Sequence, residues 1–99
     1  MSTFQLTIIT AKGKDFEGDA EAVMLTGVDG SFGILADHAP LIGALAQGLA
    51  KVTSADGKEH YFMLGQGYVD CARNEVSGLV GQSAKLKDRI TGLDLLKKK

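Results

Sequence analysis

Gly27-Val28-Asp29-Gly30-Ser31-Phe32-Gly33-Ile34-Leu35-Ala36-Asp37-His38-Ala39-Pro40-Leu41 is the most heavily punctuated stretch of a 99-residue chain. It carries three glycines, the single proline and one of the two histidines around an apolar Phe32-Gly33-Ile34-Leu35 step. Glycine permits positive φ, and proline fixes φ and removes a donor. Packed this closely, such residues mark a sharply shaped loop between strands, with Ser31 to Leu35 as a strand inside it.

Outward from this loop the pattern is of short strands. Upstream, Phe4, Leu6 and Ile8 alternate with polar residues and read as a half-buried strand. Lys12-Gly13-Lys14 reads as a turn, Asp15-Phe16-Glu17 as a short edge piece, Gly18-Asp19 as another turn and Glu21 to Thr26 as a strand. Downstream, Leu41 to Ala46 fits either helix or strand by period, but its length and the bounding Pro40 and Gly48 favour a strand. Leu49 to Ser54 and Glu59 to Leu64 flank Asp56-Gly57, a pair suited to a type I′ hairpin turn. Gly65-Gln66-Gly67 breaks or bulges the run, Tyr68 to Ala72 alternates again, Arg73-Asn74 turns, and Glu75 to Val80 reads as the last strand. The expected fold is all-β: a two-sheet antiparallel sandwich of about ten short strands over residues 1–82. Gly27, Pro40, Gly65 and Gly67 are expected to shape its loops.

The pattern changes after Gln82. Ser83 suits a helix cap, and Leu86, Ile90, Leu93 and Leu96 recur at helical spacing. Residues 83–99 are therefore expected to form at most one short C-terminal helix, stable only if its leucine stripe packs on something and frayed otherwise.

Composition narrows the function. Apolar content of 44% and charged content of 23% are those of an ordinary globular domain. No apolar run reaches the ~18 residues of a spanning helix, and the first residues resemble no export signal. The single Cys71 excludes an internal disulfide and fits a reducing compartment. A net charge of −1, with the lysine cluster confined to Lys97-Lys98-Lys99, argues against nucleic acid as a partner. Asp37-His38 is an acid–histidine pair, but no nucleophile or third ligand is spaced to join it. His60 lies in a strand, and Cys71 reads as a small buried residue rather than a nucleophile. The glycine-rich runs lack the lysine and helix start of a phosphate loop. On the residues alone the chain is a β-sandwich that binds something, with no metal or cofactor expected.

The order and spacing of several motifs add a resemblance. Phe16-Glu17-Gly18, then Gly27, Gly30, Gly33, Ile34 and Leu35, then His38-Ala39-Pro40-Leu41 and Leu45, Gly48, and Gly65-x-Gly67-Tyr68-Val69-Asp70 resemble the ε subunit of F-type ATP synthases over roughly residues 4–81. The resemblance implies a non-catalytic rotor subunit of the central stalk, a sandwich of two five-stranded sheets. It would bind the γ subunit and the c-ring of a proton- or sodium-translocating enzyme and touch the membrane only through the complex. The place implied is the cytoplasmic face of a bacterial inner membrane, or the stromal face of the thylakoid for a plastid-encoded protein. By position, the ring-facing contacts fall on Gly30, Ser31, Phe32, Gly33 and His38. Serine replaces a frequent acidic residue at Ser31, and Ala36-Asp37 stands where the family often has Pro-Gly. The resemblance does not reach the family's C-terminal helical hairpin, so neither ATP binding nor hairpin inhibition is expected. The competing class is an unrelated ligand-binding sandwich, which aromatics at 6% and the lack of tryptophan disfavour for sugars.

Overall fold

A computed structural model of the chain describes residues 2–86. Its strands are β1 (Phe4–Thr10), β2 (Gly13–Gly27), β3 (Gly30–Leu35), β4 (Leu41–Leu45), β5 (Gly48–Ser54), β6 (Glu59–Leu64), β7 (Gly67–Ala72), β8 (Glu75–Val80) and β9 (Ser83–Leu86). They form two layers. One holds β4, β7, β8, β1 and the first half of β2. The other holds β3, the second half of β2, β5, β6 and β9. Because β2 serves both, nine strands among the described residues supply two five-stranded layers. The all-β expectation holds among the described residues.

The core follows from alternation. Phe4, Leu6 and Ile8 of β1 join Val52, Phe62, Val69 and Val76 from the other strands in one apolar cluster. No polar or charged residue is buried among those described. Burying each large apolar side chain contributes about 1.5–3 kcal/mol.

β2 corrects the reading of Gly18-Asp19 as a turn. The strand is continuous, and its register shifts between Ala20 and Ala22. Ala20 is buried at an even position, while Val23 and Leu25 are buried at odd ones. A strand with a two-residue period changes its buried face only by inserting an extra residue, which is what a bulge does. That phase slip lets β2 leave one layer and enter the other with apolar side chains still facing inward. In the sequence it resembles a break between two strands.

Three further readings change. β1 and β8 pair in parallel, so the sandwich is not wholly antiparallel. No hairpin joins them, and a short loop dictates antiparallel pairing only for strands that it connects. At Asp56-Gly57 only Gly57 has positive φ (+84°). Gly57 N–H bonds to the Ser54 carbonyl, and Ser54 N–H to the Lys58 carbonyl, each at 2.9 Å. That is a type I turn followed by a left-handed glycine, not type I′. The Asp56 carboxylate accepts from Lys58 N–H at 3.1 Å, which holds Asp56 in its right-handed turn position. The third change is at Ser83, which starts β9 and does not cap a helix. Ser83 to Leu86 pair with Leu64 to Tyr61, so an open edge of β6 outcompeted the helical spacing. Ile90, Leu93 and Leu96 lie outside the described residues.

Candidate functional site

The loop and its flanks resolve into a hairpin, an edge strand and a latch. β2 and β3 meet at a tight turn, Val28-Asp29, with Gly27 opposite Gly30. Gly30 has φ +121°, which a side chain would strain. Ser31 is exposed opposite Thr26. Phe32 is half-buried and packs on the core, and Gly33 lies beside the Met24 sulfur. Phe32 is therefore held by the fold on one side. Gly65 bonds through its amide to the Gln82 carbonyl at 2.8 Å, and Gly67 opens β7.

Past Leu35 the chain turns through Ala36–Pro40 into β4. His38 N–H bonds to the Leu35 carbonyl at 3.2 Å. His38 is exposed, and its Nδ1–H donates to the Ala39 carbonyl at 2.7 Å, leaving Nε2 outward. Asp37 takes φ +64°, the left-handed region that glycine fills most readily. The departure from the Pro-Gly step therefore keeps the sign of the turn. His38 and Gly30 do not share a patch: Gly30 opens β3 and His38 lies beyond its other end, and the strand's five steps span roughly 17 Å.

The sequence reading missed a row of outward apolar side chains, half-buried at Ile9 and exposed from Leu79 to Val28. Registers place Ile9 beside Leu79, Leu79 beside Tyr68, and Tyr68 beside Ala44. Val28 N–H bonds to the Ala44 carbonyl at 3.2 Å, which brings the hairpin tip to the end of this row. Ile42 stands on the same outward phase of β4. Ile42 is 77% exposed, Val28 and Tyr68 62%, and Leu79 51%. Isolated exposed apolar residues are ordinary, but a contiguous set marks an interaction surface. The signal was present: Tyr68 and Leu79 occupy the outward phase of strands whose inward phase is already apolar.

Reactive groups do not assemble at either place. Asp37 bonds to Asn74 and not to His38. Among the described residues no group of three or more His, Cys, Asp or Glu could hold a metal ion. Cys71 is 2% exposed, and burial pushes its thiol above the ordinary range, followed by the nearby Asp70 charge. Its labelling by a thiol reagent at pH 8 is expected to be limited by opening of the fold; reaction at the rate of a free thiol would contradict this packing.

Ser54 Oγ lies 3.2 Å from His60 Nε2, within reach for a nucleophile and base. However, Asp56 faces the serine and not the histidine, at 2.5 Å from Ser54 Oγ. A serine hydroxyl has one proton to donate. Donated to Asp56, that proton ties the hairpin and leaves His60 without the acid partner a triad needs. The Ser54 hydroxyl, then the Lys58 amide, hold the Asp56 carboxyl below its ordinary 3.8. The Tyr61 hydroxyl and the Lys51 charge likewise lower Glu59 from 4.5. Depressed carboxyls stabilise the fold above their unfolded values, and that contribution is lost as pH falls through the lower folded ones. Melting temperature is thus expected to decline below about pH 4, and less steeply in Asp56→Asn. Equal slopes in wild type and variant, followed by circular dichroism, would show that this hairpin does not respond to acid.

A β-sandwich that turns one contiguous apolar row outward presents a surface suited to docking. The chain belongs to the family described as ATP synthase, Delta/Epsilon chain, beta-sandwich domain, whose model matches residues 3–84. It is 35% identical over 88 residues to the ATP synthase epsilon chain, sodium ion specific, of Propionigenium modestum, covering 89% of this chain and 64% of that one. It is 33% identical over 87 residues to the ATP synthase epsilon chain of a Nitratiruptor species, covering 88% of this chain and 67% of that one. The chain thus spans about two thirds of the length of these relatives. Its fold matches a chain of the Euglena gracilis mitochondrial ATP synthase (OSCP/F1/c-ring, rotational state 1). The TM-score is 0.82 at 19% identity, over 99% of this chain and 64% of that one. A chain of the Tetrahymena thermophila mitochondrial ATP synthase central stalk and c-ring matches with a TM-score of 0.69 at 16% identity, over 94% and 85%. The resemblance carried by the His38-Ala39-Pro40-Leu41 and glycine motifs is confirmed.

Proposed function

We propose that this chain is a non-catalytic rotor component of an F-type ATP synthase central stalk, joining the γ subunit to the ion-carrying ring. The observation that carries the reading is the apolar row Ile9, Leu79, Tyr68, Ala44 and Val28 on the outer face of one layer. Stable interfaces bury aromatic and aliphatic anchors at their centre. We assign this face to γ. The hairpin tip from Val28 to Ser31 is assigned to the polar loops of the ring, with the Ser31 hydroxyl and the Asp29 carboxylate as its polar groups. His38 sits on the segment leading into β4 and Ile42, at the border of the γ face, and is separated from the tip by the length of β3.

The architecture suits transmission of torque. β1, β8, β7, β4 and β2 pair in a closed circuit, so bending one strand strains the ladder hydrogen bonds of its neighbours. Membrane association arises through the complex. The relatives' printed descriptions, epsilon chains and a central stalk with its ring, support the same role. Gel filtration of the full chain with the γ subunit from the same source is the test. Co-elution as a one-to-one complex is the expected result; separate elution of two folded proteins would overturn the assignment of the apolar face to γ.

A further inference from the structure

We infer that Asn74 is a positioning residue for the partner-bordering loop Ala36–Pro40, acting through Asp37. This rests on the reading that the loop borders the γ face. Asp37 N–H donates to Asn74 Oδ1 at 2.6 Å, and Asn74 Nδ2 donates to Asp37 Oδ1 at 2.9 Å. The two residues are 37 positions apart, so the pair ties the loop to the β7–β8 hairpin. The Asn74 carbonyl also accepts Gln5 N–H at 2.8 Å, which anchors the same point to the start of β1.

The backbone at this contact is unusual. Among the described residues the non-glycine positive φ values are those of Asp37 (+64°), Arg73 (+52°) and Asn74 (+59°). Left-handed backbone is unfavourable for residues with a Cβ, and asparagine and aspartate tolerate it best. Arg73 and Asn74 form a two-residue turn of type I′ between Ala72 and Glu75, which needs positive φ at both positions. The turn thus carries Asn74 to a fixed place, and its amide fixes Asp37.

Asparagine is specifically suited to this place, since its amide both accepts and donates. Glycine would keep the turn and lose both bonds. Aspartate could accept from Asp37 N–H, but would set two carboxylates against each other. The bonded loop is ordered before a partner arrives, so binding need not order it. His38 Nε2 is then presented in one direction.

The test uses the full chain as wild type, Asn74→Gly, Asn74→Asp and the exchanged pair Asp37→Asn with Asn74→Asp. Amide exchange, melting temperature and affinity for the γ subunit are measured on each. In Asn74→Gly and Asn74→Asp, His38 amide protection and γ affinity are expected to fall about fivefold to tenfold. Exchange in β5 and β6 should not change. The exchanged pair replaces the reciprocal bonds with two that both run from position 37, its backbone N–H and side-chain amide donating to the carboxylate at position 74, and should recover both readouts. Lower melting temperature with unchanged affinity and unchanged His38 protection would overturn the inference and leave Asn74 a turn residue. If wild type fails to bind γ, the stalk reading falls instead. The latch is then decided by His38 exchange alone, and unaltered protection in both single variants sinks it.

Discussion

Gly67→Ala is expected to lower the melting temperature by about 12 °C or more. Gly67 begins β7 between Leu45 and Val80. A Cβ there would lie 2.0 Å from the Leu79 carbonyl oxygen and 2.7 Å from Val80 Cα. Both are backbone atoms of a paired strand, so no side-chain rotation relieves the clash. Relief requires moving β8, which carries buried Val76 and Val80. Overpacking costs about 1–3 kcal/mol, and a backbone clash belongs at the upper end. Each kcal/mol shifts a domain of this size by about 4–8 °C. Gly33→Ala is the control. Its Cβ would meet the Met24 sulfur at 2.8 Å, but that is the mobile end of a partly exposed side chain. A small shift for Gly33→Ala beside a large one for Gly67→Ala, read by thermal circular dichroism, is the expected pair. A Gly67→Ala shift below about 4 °C would show that β8 gives way at little cost.

Tyr68→Asp is expected to weaken binding to the γ subunit by about a hundredfold while leaving the fold intact. Tyr68 lies at the middle of the apolar row, between Leu79 and Ala44. It is 62% exposed, so the isolated domain loses little by the change. Exposed substitutions usually alter stability by about half a kcal/mol or less. A central aromatic anchor contributes about 2–4 kcal/mol to an interface, and a buried unpaired carboxylate adds its own desolvation cost. About 2.7 kcal/mol corresponds to a hundredfold change in affinity. Titration calorimetry of the variant against γ, with melting temperature as the fold check, reads the effect. Wild-type affinity in Tyr68→Asp would remove this face from the proposed interface. Loss of both affinity and melting temperature would mean that Tyr68 supports the sandwich itself.

Local pattern was enough for most strands. Phe4-Gln5-Leu6-Thr7-Ile8 and Tyr68-Val69-Asp70-Cys71 alternate, and each buries the phase that alternation names. Alternation failed at Ala20–Ala22, where a bulge flips the phase and looks like a chain break. It also failed at Ser83, where helical spacing extends into residues that complete an edge. The turn at Asp56-Gly57 was located but mistyped, because the Ser54 and Lys58 bonds to Asp56 select its right-handed form.

By itself the sequence determined an all-β domain, most of its turns and the family to which the chain belongs. Those properties rest on local spacing, which survives without knowledge of neighbours. Only the tertiary structure decided that Ile9, Val28, Ala44, Tyr68 and Leu79 form one row, and that Gly30 and His38 stand apart. It also decided that Asp37 and Asn74 meet. The parallel β1–β8 pairing and these contacts join residues tens of positions apart. Such neighbours are set by how strands cross between layers, and no period of two or of 3.6 residues records that crossing.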